Sequence, residues 1–142
     1  MPLLALTSLF FLLEVTMAVT TTTQINAPLV TNIVNDTDSD LTLRNAASVS
    51  SKLYFVEITN PNTTTPAYVK LISNASAANV NTATQHVMQL YCPAETTCYA
   101  YIPEGHVISD GIVYYTSNEA GTAGSLTAPS SDVTVTIGTT AT

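Results

Sequence analysis

Residues 132–138 read Asp132-Val133-Thr134-Val135-Thr136-Ile137-Gly138, and this stretch decides the fold class. Val133, Val135 and Ile137 alternate with Thr134 and Thr136, so an extended chain puts three apolar side chains on one face and hydroxyls on the other. A strand with one face in a core follows. Further back, Leu53-Tyr54-Phe55-Val56-Glu57-Ile58 carries Tyr54, Val56 and Ile58 on one face and Leu53 and Phe55 on the other. Both faces there are apolar, which predicts a central strand.

Outward from these two, strand patterns recur at short intervals over residues 20–34 (broken at Pro28), 40–45, 67–73, 86–92, 98–102 and 112–117. Turn chemistry separates them: Asn60-Pro61-Asn62, residues 79–84, Pro103-Glu104-Gly105, and residues 121–130 with Pro129. The stretch 73–84 is poor in large side chains and reads as an exposed loop with room for a short helix. No long helical period and no internal repeat interrupts the series. The expectation is an all-β chain, a two-sheet antiparallel β-sandwich of seven or eight strands, with jelly-roll and immunoglobulin-like orders both open.

Composition agrees. Thr supplies roughly one residue in six, and its β-branched, hydroxyl-bearing side chain suits the solvated face of a pleated sheet. Of the 142 residues only 9% are charged, and the net charge of −7 rests on ten acids against Arg44, Lys52 and Lys70. Three cations cannot neutralise a row of phosphates, so nucleic acid is not expected as a partner. The same deficit argues against docking on an anionic membrane surface.

Residues 1–18 form a hydrophobic leader, with 19–142 expected as one sandwich domain. The run PLLALTSLFFLL is shorter than a membrane-spanning helix needs and holds no Lys or Arg. Three readings stay open: a secretion signal ending near Ala18, an alternative start at Met17, or an apolar arm that packs on a neighbouring subunit.

Few constellations could carry chemistry. Cys92 and Cys98 flank Pro93-Ala94-Glu95-Thr96-Thr97 and read as the strand ends of a hairpin, where a disulfide would close a short loop; free thiols are the other reading. Asp36, Asp38 and Asp40 alternate as at the start of a calcium loop, but Leu41 stands where Gly is needed and Ala47 where Glu is needed. A solvated turn is the reading adopted. His106 lies four residues before Asp110, and His86 opens a distant strand, with no third ligand or nucleophile beside them. Ser125 follows a glycine-containing loop that has neither a nucleophile elbow nor the lysine of a phosphate loop. No catalytic, metal-binding or cofactor-binding residue is assigned, and no enzyme is expected. Asn35, Asn62 and Asn74 open glycosylation sequons in predicted turns. The seven tyrosines suggest sugar stacking, but the absence of Trp and the strand positions of Tyr99, Tyr101, Tyr114 and Tyr115 favour packing within the sheets.

From Tyr54 onward the order of features resembles small β-sandwich virion proteins encoded by tailed phages of marine and cyanobacterial hosts. The likeness runs through Leu53 to Ile58, Asn60-Pro61, Ala67-Tyr68-Val69-Lys70-Leu71, Ile102-Pro103-Glu104-Gly105, Ser109-Asp110-Gly111-Ile112, Gly121-Thr122-Ala123 and the closing Asp132 to Ile137. It implies a structural virion protein, a capsid decoration or cement protein, with a neck or tail accessory protein as a second form. The implied partners are a major capsid protein or other virion protein and further copies of the chain, as a homotrimer, with no membrane in the mature form. The leader and the cysteine pair depart from that pattern. They support a competing reading, a secreted or cell-surface binding module, for carbohydrate among other ligands.

Overall fold

The structure, a computed structural model, describes residues 30–122 and 126–142. Eight strands follow in chain order: β1 (Asn32–Ser39), β2 (Arg44–Ala47), β3 (Ser51–Asn60), β4 (Ala67–Ser73), β5 (Met88–Cys92), β6 (Thr96–Ile108), β7 (Ile112–Ser117) and β8 (Val133–Ala141). They form two four-stranded antiparallel sheets, which we call A, in the order β1-β8-β3-β6, and B, in the order β2-β7-β4-β5. Strand 1 pairs with 8, 2 with 7, 3 with 6 and 4 with 5. That is one long hairpin rolled into a sandwich, the jelly-roll order, and it decides between the two orders the sequence left open.

The core lies between the sheets. Leu53, Val56 and Ile58 of β3 and Val133, Val135 and Ile137 of β8 meet Val69 and Leu71 of β4 and Ile112 and Tyr114 of β7, all essentially fully buried. The alternation in β8 therefore faces as its sequence predicts, and β3 is central, between β8 and β6. The phase within β3 is different from the simple alternation. Leu53 stands opposite Thr139 and Phe55 opposite Gly138, so Tyr54 is one extra residue, a bulge that puts Leu53 on the same inward face as Val56 and Ile58 and turns Phe55 outward.

Three boundaries differ from the sequence reading. The acidic stretch expected as a turn continues β1 as far as Ser39, and the strand expected over 40–45 is the short β2. The Pro103-Glu104-Gly105 turn lies inside β6: Leu53 faces His106 and Phe55 faces Tyr101, so residues 102–105 leave the β3 ladder and the strand resumes beyond them. The loop after β4 is not merely exposed. Its 3-10 turn, Ala77–Asn79, is capped by Ser76, whose Oγ accepts from the Ala78 N–H, and Ala77 and Val80 pack with Leu41, Leu43 and Leu126 over Ile72, Val113 and Tyr115 on the outer face of sheet B. That outer face is thus covered by loops, whereas nothing among the described residues folds over the outer face of sheet A in this way. The leader, most of the strand expected at 20–34, and Ser125 lie outside the described residues.

Candidate functional site

Cross-strand register assembles the outer face of sheet A in rows. One row runs Ile33, Gly138, Phe55, Tyr101; the next runs Asn35, Thr136, Glu57, Tyr99; a third runs Thr134, Thr59, Thr97. Directly opposed side chains on one face stand about 4.5–5.5 Å apart at Cβ, so each row is a contact series. Tyr101 is 70% exposed and Tyr99 57%, with ring centroids 6.1 Å apart and planes 8° from parallel. Phe55 stands 6.3 Å from Tyr101 at 39°. Its ring occupies the space that a side chain at 138 would fill, since a Cβ there would lie 2.1 Å from Phe55 Cε1. Beside the rings the polar row is partly knit together: Thr136 Oγ1 donates to Asn35 Oδ1 at 3.2 Å, and the Thr59 and Thr97 hydroxyls bond at 3.1 Å. The Glu57 side chain makes no hydrogen bond or ion pair among the described residues.

The packing expectation for the tyrosines holds for Tyr114 and Tyr115, which are buried, and fails for Tyr99 and Tyr101. The reason is that β6 is an edge strand whose inward side is taken by Cys98, Ala100 and Ile102, leaving the larger rings outside. Because both alternating sets of β6 are apolar, the sequence carries no signal of which one faces the core.

The three alternating aspartates have another use. Arg44 Nη1 binds Asp36 Oδ1 and Asp38 Oδ1, the latter at 3.0 Å, and Nη2 lies 3.7 Å from Asp40 Oδ1. Tyr114 Oη donates to Asp36 Oδ2 at 2.9 Å. The acids expected as a solvated turn are instead organised around a guanidinium, and Asp36 is buried between the sheets. Burial pushes the Asp36 carboxyl up, but the hydrogen bonds from Arg44 and Tyr114 and around Asp38 outweigh it and leave it below its ordinary value. The Tyr114 hydroxyl is raised by burial and by the Asp36 carboxylate it serves.

Lys70 is also internal. It lies on β4 under the loop after β7, donates to the Gly121 carbonyl at 2.6 Å, and sits 5.4 Å from the centre of the Tyr115 ring. Burial lowers its pKa against the pull of Glu119. Two of the chain's three cations, Arg44 and Lys70, are therefore bonded within the chain.

Cys92 and Cys98 do not belong to a hairpin. Cys92 stands opposite Ala67 in sheet B and Cys98 opposite Ile58 in sheet A, so the segment between them is a corner that passes from one sheet to the other. Both are thiols here; Cys92 is buried, its Sγ 3.2 Å from the Thr96 carbonyl. Burial and the neighbouring Cys98 raise the Cys92 thiol to about 12.

His106 is exposed on β6, opposite Leu53, while Asp110 in the following turn accepts from Ser73 and Ser109 at 3.3 Å each. His86 precedes β5 in the other sheet, lowered by burial and by Lys70. No three His, Cys, Asp or Glu side chains among the described residues are grouped to hold a metal ion. Among the sequons, Asn35 lies in β1 rather than a turn, and Asn62 is buried, its Oδ1 accepting from Ser130 Oγ and the Ser131 N–H at 2.7 and 2.9 Å. A glycan on Asn62 would break that knot. Asn74 follows β4 and accepts from the Ser76 N–H at 3.0 Å. No helix among the described residues is long and apolar enough to cross a membrane. No family model, curated protein or solved structure matches the chain.

Proposed function

We propose that this chain is a structural, non-catalytic protein of a virus particle, a decoration or cement protein that works by surface contact with a major capsid protein and with its own copies. The observation that carries the reading is an asymmetry between the two flanks of the sandwich. On the β1–β2 flank the sheet edges are guarded by Asp36, Asp38, Asp40 and Arg44. On the β5–β6 flank, residues 88–102 hold one charge, Glu95, in the corner between the strands. Edge strands that stay solvated are commonly blunted by charge, proline or bulges; β6 carries all three from Pro103 to Gly105, but the edge segments 88–92 and 96–102 carry none, which suits them to pairing with another chain. The jelly roll is also an architecture of viral capsid domains, an analogy of fold that supports the reading.

The particle supplies the test. In purified virions whose genome carries the gene, the chain is expected at a fixed ratio to the major capsid protein, and an antibody against the folded domain should label shells at regular spacing. Label confined to one vertex would make it the neck or tail form, and virions lacking the chain would overturn the reading. A secreted or cell-surface binding module is the second reading, and the exposed Tyr99 and Tyr101 pair favours it. Mass analysis of the mature chain separates the two, since cleavage after Ala18 belongs to secretion and an intact start at Met1 or Met17 to the particle.

A further inference from the structure

We propose that the outer face of sheet A around Phe55, Tyr99 and Tyr101 is a carbohydrate-binding platform for neutral pyranose chains. The inference concerns this surface alone and holds for a particle protein and a secreted module alike.

A pyranose ring is amphipathic: its axial C–H groups make an apolar face, and its equatorial hydroxyls form a polar rim. A site for it needs aromatic surface and a few hydrogen-bonding groups within one ring's width. Both are present and adjacent. Tyr99 and Tyr101 are two residues apart on one strand face, with exposed rings in nearly parallel planes. One strand inward from Tyr99, in the same row, is the carboxylate of Glu57, which has no partner among the described residues. Thr136 and the Asn35 amide continue that row.

The platform is also held in place before any ligand arrives. Phe55 sits over Gly138, and the Phe55 and Tyr101 rings are in reach of each other, so binding needs little side-chain ordering. Extended, flat and mixed in polarity, the face differs from a protein-binding core. Away from the rings it offers threonine hydroxyls, Lys52 and two separated large apolar side chains, Ile33 and Val107, at opposite edges of the sheet, whereas protein interfaces surround their aromatic anchors with water-excluding packing. Charge narrows the ligand class. The chain carries −7 overall, and the Glu57 carboxylate stands in the Tyr99 row while the face's cation, Lys52, lies two rows away opposite Val107, so a uronate or sulfate seated against Tyr99 is repelled where a neutral sugar is not.

Affinity electrophoresis of the full chain through gels holding dextran, laminarin, mannan or alginate tests this. Retardation by at least one neutral polysaccharide is expected, with at least a tenfold loss of affinity in Tyr101→Ala and in Tyr99→Ala and a smaller loss in Glu57→Gln. Both rings are largely exposed, so unchanged melting curves should accompany the lost binding. The same titration can be followed by tyrosine emission, because the chain contains no Trp. The proposal is overturned if no neutral polysaccharide retards the chain, if alginate alone does, or if the tyrosine variants bind as the parent does. It is equally overturned if those variants bind no differently but reduce the mass of the assembled chain in light scattering, which would make the face a protein contact.

Discussion

At Gly138 a Cβ would come within 2.1 Å of Phe55 Cε1 and 2.5 Å of Cδ1, so alanine and the native ring position exclude each other. The cross-strand pair follows the pattern in which an aromatic ring covers the bare backbone of a strand glycine. Gly138→Ala is expected to cost about 1–3 kcal/mol, the range for forcing extra volume into a packed site. In urea melts the double variant Gly138→Ala, Phe55→Ala should lose less than the sum of the single losses; strict additivity would mean the ring does not lie over the glycine. Asp36 gives the second prediction at this scale. Its folded-state pKa is depressed despite burial, whereas an unfolded Asp titrates near about 3.9. Between those values the unfolded chain binds more protons, so the stabilisation is fully present above the unfolded value and is lost as pH falls through the folded one. Asp36→Asn should flatten the acid limb of a stability-against-pH curve and cost about 1–3 kcal/mol at pH 7, the scale of a charge-assisted hydrogen bond removed from a buried site.

The two flanks of the sandwich are closed by different elements, and this explains how much the sequence disclosed. On one side Asp36 of β1, Arg44 of β2 and Tyr114 of β7 tie sheet A to sheet B; on the other, the corner from β5 to β6 does so through Cys92, Cys98 and Asn60, whose Nδ2 donates to the Thr65 and Pro93 carbonyls at 3.0 Å each. Neither closure is local, so alternation could not announce it. Alternation did find β8, which writes its burial into every second residue, whereas β4 and β7 are buried on nearly every residue and were legible as short apolar runs bounded by turn chemistry. It missed the length of β6, where Pro103 and Gly105 sit in a bulge rather than a turn, and it could not orient Tyr99 and Tyr101. The cysteine corner yields a test of its own. A bond between Cys92 and Cys98 would staple two sheets and, for so short a loop, contribute roughly 2 kcal/mol. Oxidised protein should melt a few degrees above reduced protein, with the difference absent in Cys92→Ser. In the reduced chain Cys98 should be alkylated well before Cys92, whose thiol burial holds at about 12. Equal melting with and without reductant would remove the bond from the picture.

For the molecule as a whole, the placement of charge differs between the two flanks, and the proposed assembly is built on that difference. β5 and β6 are the edges of different sheets but lie on one flank, so each copy offers two unlike edge segments side by side, 88–92 and 96–102, that hold no charge ahead of Glu104. A contact between unlike patches closes into a ring when the rotation permits, and β6 of one copy against β5 of the next around a three-fold axis is such a closure. Such a closure would serve the proposed shell role, because a protein that engages its site through several linked copies gains avidity. The aromatic face would stay open, since edge pairing uses backbone groups in the plane of the sheet while Tyr99 and Tyr101 project from it. Thr97 is exposed on β6 and Tyr91 is 56% exposed on β5. Thr97→Lys combined with Tyr91→Lys restores to this flank the charge that guards edges in monomers. Multi-angle light scattering at micromolar concentration should give three copies for the parent chain and one for the double variant, with both melting within a few degrees of each other. A parent chain that is monomeric on its own would place its assembly on the capsid surface rather than in solution, and a trimer that survives both lysines would move the contact away from the β5–β6 flank.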